Sequence, residues 1–169
     1  LIEGLGLDLG AAYCFHTPLN RPANDALARV LAHRLERDRG WRVNTVAADL
    51  GFQLALPTGN PLGSAAWRAL LDPAGFHQDL ALALHNCPSM RERFARVATT
   101  GLMLLRQVWG RRRKVGGPTW AQRRLFDQIR AAEPDFPFLR QAEAELRHHG
   151  CDAGAATAYL QRLPRMHLR

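Results

Sequence analysis

The sequence has no phosphate loop, no strand-terminal Asp-Glu pair that would hold magnesium and no nucleophile elbow. Without a G-x-x-x-x-G-K-[ST] run there is no cradle for nucleotide phosphates, and Gly116-Gly117 follows a basic run instead of a strand. No Ser-His-Asp constellation appears. Asp8, Asp49 and His16 sit at expected strand ends, where lone polar residues form turns or satisfy core groups. No catalytic residue is therefore assigned. Cysteine is scarce: Cys14, Cys87 and Cys151 lie far apart with no C-x-x-C pair. That argues against a zinc ribbon or a disulfide framework and fits a reducing, cytoplasmic setting. His148 and His149 near Cys151 lack a second ligand pair, so they are expected to decorate a helix end and no metal is assigned. No apolar run approaches a membrane span, and the opening LIEGLGLDLG lacks the parts of a signal peptide. The first residue is Leu1 rather than Met, which suggests a piece of a longer polypeptide.

What is present suffices for a core: 169 residues, 47% of them hydrophobic. Residues 5–17 alternate as one or two strands. A helix is expected from Ala23 to Arg39, with Leu27, Val30, Leu31 and Leu35 on one face, Arg29, Arg34, Arg37 and Arg39 on the others, and Gly40 as its stop. Residues 41–46 and 51–56 alternate around an Ala48-Asp49-Leu50 turn and predict a hairpin. After the Pro/Gly loop of residues 57–64, helical patterns follow over about 64–71, 74–86, 89–109, 119–132, 136–149 and 152–163. The expected class is α+β: a small N-terminal antiparallel, barrel-like sheet module with one helix (residues 1–60), then a helical bundle (61–169).

Charge is concentrated in one place. Residues 86–130 hold eleven Lys/Arg against Glu92 and Asp127, a net +9, while the whole chain is +8. From Arg106 to Arg124 there are seven cations and no acid. The stretch is expected to open as a helix with a Ser89/Glu92 capping box and a buried stripe of Phe94, Val97, Ala98, Gly101, Leu102, Leu105 and Val108. Arg111, Arg112, Arg113 and Lys114 follow, flanked by Trp109 and Trp120, and then Arg123 and Arg124 near the start of a second helix. This pattern suits a surface that tracks phosphates, and equally a solvated interhelical loop. Cations near a helix N-terminus oppose the macrodipole, which favours an anionic partner there.

Several stretches in order resemble the C-terminal DEAD/H-associated domain of Lhr-type (large helicase-related) superfamily 2 helicases. His16-Thr17-Pro18 ahead of ALARVLAHRL is similar to the domain's opening strand and helix, and VAADLGFQLAL to its hairpin. Arg91-Glu92-Arg93-Phe94-Ala95-Arg96-Val97-Ala98 resembles its R-x-R-F-x-x-[VI]-A helix start, and the likeness continues through residues 101–130 and PDFPFLRQAEAEL. The departures are Asn20, where a glycine is common, and the looser helix over residues 141–147.

The resemblance implies a domain that follows two RecA-like motor domains and a winged helix in an ATP-dependent 3′-to-5′ DNA helicase, with a part in DNA repair. ATP and Mg would belong to the motors, leaving no cofactor in this chain. Its partners would be nucleic acid, single-stranded DNA first, and the neighbouring domains. The nucleic-acid-binding residues expected are Arg111, Arg112, Arg113, Lys114, Arg123, Arg124, Trp109, Trp120 and Arg91. Arg93 and Arg96 are expected to pair with Glu143 and Glu145 instead. Two other readings stay open: a protein docking module without DNA contact, which predicts an exposed apolar patch, and a freestanding basic RNA-binding protein.

Overall fold

A computed structural model describes residues 1–7, 10–57, 62–85, 87–103, 107–108, 111–112 and 117–163 of the 169-residue chain. Its packing divides into two compact units, residues 1–83 with 149–169, and residues 84–148. The division expected between residues 60 and 61 differs from this: the next two helices and the last one are grouped with the sheet.

In the first unit, β1 (Ile2–Leu7), β2 (Gly10–His16), β3 (Asn44–Ala48) and β4 (Gly51–Leu56) form an antiparallel sheet in the order β1-β2-β4-β3. The α+β class holds, but the sheet is open and not barrel-like, with β1 and β3 as its edges among the described residues. Alternation decides its faces. Tyr13 opposes Leu54 and Phe15 opposes Phe52, and all four are buried. Phe15 and Phe52 stack at 4.4 Å, and Trp67 meets Tyr13 and Phe15 edge-on at 4.8 and 5.1 Å. The opposite face carries Leu5 and Val46, which are 58% and 65% exposed.

Helix α1 (Arg21–Arg39) begins two residues earlier than expected, because Pro22 fits a first helical turn, where its missing N–H is not needed. Asn20 caps it by accepting from the Ala23 amide at 2.9 Å. Gly40 ends it at φ 69°, a left-handed position that suits glycine. Buried Asn24 donates to the carbonyls of Leu19 and Ala48, tying α1 to the end of β3. Helices α2 (Ser64–Leu70) and α3 (Phe76–His85) follow, and a later helix, α7 (Ala153–Arg162), packs back on α1.

One expectation is overturned here. Arg34 is not a surface residue: it is 4% exposed. Its Nε donates to Asp79 at 2.7 Å, and its two terminal nitrogens donate to the carbonyls of Leu70, Asp72 and Ala74 at 2.6–2.8 Å. Four of the five guanidinium N–H groups are thereby used, which is what makes a buried arginine tolerable. Arg37 meets Asp79 from the exposed side at 3.0 Å and also holds Asp38. Hydrogen bonding from Arg37 is the main force holding the Asp38 carboxyl below its usual range, and burial opposes it. These groups border an open cleft of about 730 Å³ in which the cations Arg34, Arg37 and Arg39 face Asp38, Asp72 and Asp79. That balance marks the cleft as a structural ion network.

The second unit is built on α4 (Pro88–Thr100), the two-stranded β5 (Gln107–Val108) and β6 (Arg111–Arg112), α5 (Gly117–Ala132) and most of α6 (Pro137–Gly150). Its core joins Met90, Phe94, Val97 and Ala98 to Phe126, Leu139, Ala142 and Leu146. Phe94 and Phe126 meet edge-to-face at 5.4 Å. The Ser89/Glu92 capping box does not form: Cys87 is the extended N-cap, with no side-chain cap, and Pro88 takes the first helical position. Ser89 then lies inside the first turn, where its own backbone is helical and cannot cap.

Candidate nucleic-acid interface

The basic stretch is assembled from the end of α4, the β5–β6 pair and the exposed side of α5. The single helix expected to run to Trp109 stops at Thr100. Gly101 lies where a Cβ would come within 2.3 Å of the Phe138 ring, so any larger residue there would force that ring to shift. Leu102 then turns left-handed at φ 59°. Helical spacing past residue 100 therefore carries no stripe: Leu102 is 74% exposed, Val108 is a strand residue, and Leu105 lies outside the described residues.

Beyond that stop the backbone pairs with itself. Gln107 opposes Arg112 and Val108 opposes Arg111 in antiparallel register. The expected interhelical loop is thus partly a β-pair, which brings Arg111 and Arg112 alongside the chain leaving α4. Trp109, Arg113 and Lys114 lie outside the described residues, and only the backbone is described for Arg111, Arg112 and Trp120.

Helix α5 begins at Gly117, which places Arg123 and Arg124 at its seventh and eighth residues. The expectation that they crowd the helix N-terminus is corrected, since the macrodipole acts within the first turn. Both are exposed. Arg91, on α4, lies over the Phe126 ring with its guanidinium 5.8 Å from the centroid and meets Asp127 at 3.5 Å. That ion pair is about half exposed on both sides, so it is weak and open to competition from another anion. Arg91 and Asp127 therefore meet between the two helices, and Arg123 and Arg124 lie one turn before Asp127 on α5. This arrangement presents three cations around one acid.

The structural pairs are partly as expected. Arg93 reaches Glu145 at 3.5 Å in a half-buried setting, whereas Glu143 is taken by Arg147 at 2.6 Å within α6. Arg96 is exposed and joins none of the ion pairs found among the described residues. Also among the described residues, no group of three or more His, Cys, Asp or Glu side chains is placed to hold a metal ion. No helix there is long and apolar enough to cross a membrane. Sequence reasoning missed the exposed pair Leu102 and Met103, because helical periodicity assigned Leu102 to the core. The only local hint was the Gly101 before it.

The DEAD/H associated family matches residues 1–169. The chain belongs to this family. The DEAD/H-associated domain is 30% identical over 160 residues to ATP-dependent helicase Lhr-Core protein 2 of Thermococcus barophilus, covering 95% of this chain and 18% of that protein. It is 26% identical over 165 residues to ATP-dependent helicase Lhr-Core of Methanocaldococcus jannaschii, covering 98% and 19%. Its fold is that of part of the Mycobacterium smegmatis helicase Lhr, solved bound to ssDNA and AMP-PNP, with a TM-score of 0.78, 22% identity and coverage of 97% of this chain and 21% of that one. The resemblance to Lhr-type helicases is borne out, and the domain spans about a fifth of the length of these relatives.

Proposed function

We propose that this DEAD/H-associated domain is an accessory part of an Lhr-type ATP-dependent 3′-to-5′ DNA helicase, working in the cytoplasm, and that it holds the phosphate backbone of the tracking strand. ATP and Mg would act in the RecA-like motor domains, and this domain would contribute contacts without catalysis of its own. The observation that carries the reading is the run from Arg106 to Arg124, seven cations without an acid in the sequence, of which Arg111 and Arg112 lie on the β5–β6 pair and Arg123 and Arg124 are exposed on α5. A chain neutral elsewhere gains little stability by gathering its charge so closely, but a polyanion gains a binding site.

The test is fluorescence-anisotropy binding of the 169-residue chain to labelled single-stranded DNA across a salt series. The comparison is a variant with Arg111, Arg112, Arg113 and Lys114 changed to Ala. On single strands each neutralised phosphate contributes about −0.7 to the slope of log K against log salt, so four lost contacts flatten the slope by roughly 3. Equal slopes for parent and variant would remove these residues from the interface. The same series on RNA of matching length separates DNA from RNA preference.

A second reading, docking on the RecA-like and winged-helix domains, is favoured by the outer face of the sheet. Leu5 on β1 and Val46 on β3 stand exposed there. The two roles use different surfaces. Leu5→Ser and Val46→Ser would weaken domain association in the longer protein while leaving the salt slope of DNA binding unchanged.

A further inference from the structure

The end of α4 is a Schellman motif with an unusual residue in its key position. The Met103 amide donates to the Ala98 carbonyl at 2.9 Å and the Leu102 amide to the Thr99 carbonyl at 3.2 Å, the paired bonds that define the motif. The position that must turn left-handed is commonly glycine, as it is in this chain at Gly40, where φ is 69° and α1 stops. Here it is Leu102, whose Cβ makes that conformation strained. Leu102 is the one non-glycine residue with positive φ among the described residues.

Among the described residues, the core does not take up these side chains. Leu102 is 74% exposed and Met103 42% exposed, while Met90, Phe94, Val97 and Ala98 already fill the core from the same helix. Two apolar side chains are thus held outward by a strained turn, a combination typical of binding sites. Their position in the chain indicates what they meet. Met103 is four residues before Gln107, so their Cα atoms are at most about 15 Å apart. Gln107 in turn pairs with Arg112. The apolar pair is therefore within chain reach of the strand pair that carries Arg111 and Arg112.

We infer that Leu102 and Met103 pack against the faces of unstacked bases in a single strand whose phosphates are held by the neighbouring arginines. This rests on the reading under Proposed function and adds the part of the ligand that the apolar pair touches. Every base offers an apolar face, so such contacts tolerate sequence, and Leu and Met are among the side chains that wedge between bases. An apolar protein surface would also accept Leu and Met. It would have no use for the concentration of cations that follows them in the chain, and that charge complementarity favours the nucleic acid.

The experiment compares binding of the 169-residue chain to a labelled single-stranded oligonucleotide and to one of equal length with abasic sites in its centre. Both carry the same phosphates. The parent should prefer the strand with bases by roughly fivefold or more. Leu102→Asn, which tolerates the left-handed turn and removes the apolar side chain, should bring that ratio close to one without changing the salt slope. Met103→Ser should lower the ratio independently of the turn. Thermal melting of Leu102→Asn at or above the parent temperature shows that the loss is not unfolding. A ratio that persists in both variants overturns the inference. A parent ratio of one with a steep salt slope also overturns it and leaves the phosphate-holding role standing, with the apolar pair then open to a protein partner. Absence of salt-dependent binding by the parent overturns both.

Discussion

Replacing Arg34 with Met removes a buried charge whose partners cannot all be satisfied afterwards. Three backbone carbonyls, those of Leu70, Asp72 and Ala74, lose their donor, and Asp79 keeps only Arg37, which approaches from the exposed side. Breaking a buried pair from one side costs about 3–5 kcal/mol. The lower end applies here, because the open cleft beside the network lets water reach the orphaned oxygens. At about 3 kcal/mol, a chain of this size loses roughly 6–12 °C in melting temperature. Circular dichroism melting of Arg34→Met, Arg34→Lys and Arg37→Met measures it. Lys has no planar fork and should recover only part of the loss. Arg37→Met removes a half-exposed guanidinium while Asp79 keeps Arg34, and should cost only about 1 kcal/mol. Equal, small losses for Arg34→Met and Arg37→Met would refute the argument that the fork holds the α2–α3 connection to α1.

Gly101 has φ −76°, so Ala there involves no backbone strain and would ordinarily stabilise by about 0.4–1 kcal/mol. The clash with Phe138 should win, with a net cost of about 1–3 kcal/mol, and Phe138→Leu in the same chain should restore much of it. Denaturant titrations of the two single variants and the double variant check this, and strict additivity would rule out the contact. Asp127→Asn removes the acid that faces Arg91 and should raise single-strand affinity severalfold at low salt, with a slightly steeper salt slope. Unchanged anisotropy titrations would place Arg91 outside the interface.

The local parts of this domain were legible because they are written in short-range patterns. Alternation over residues 41–46 and 51–56 predicted the hairpin, whose first strand lies later, at 44–48, and Gly40 marked the end of α1. The bounds expected for α5 to α7 fall within about two residues of those observed. The concentration of charge needed only counting. The family resemblance came from ordered local motifs, which survive in sequence because each lies within one element.

Tertiary structure decided the rest. Arg34 had an ordinary surface spacing on α1, and its burial depends on Asp79 and three carbonyls 36–45 residues away. The tight packing at the end of α4 sets Gly101 against Phe138, 37 residues beyond it, and periodicity alone does not report a close approach from another helix. Without that stop there is no β5–β6 pair and no outward-facing Leu102. Short-range pattern therefore determined which residues carry charge and which form helices or strands. Contacts distant in sequence determined which of them are buried, as Arg34 is, and which neighbour closes on the end of the central helix.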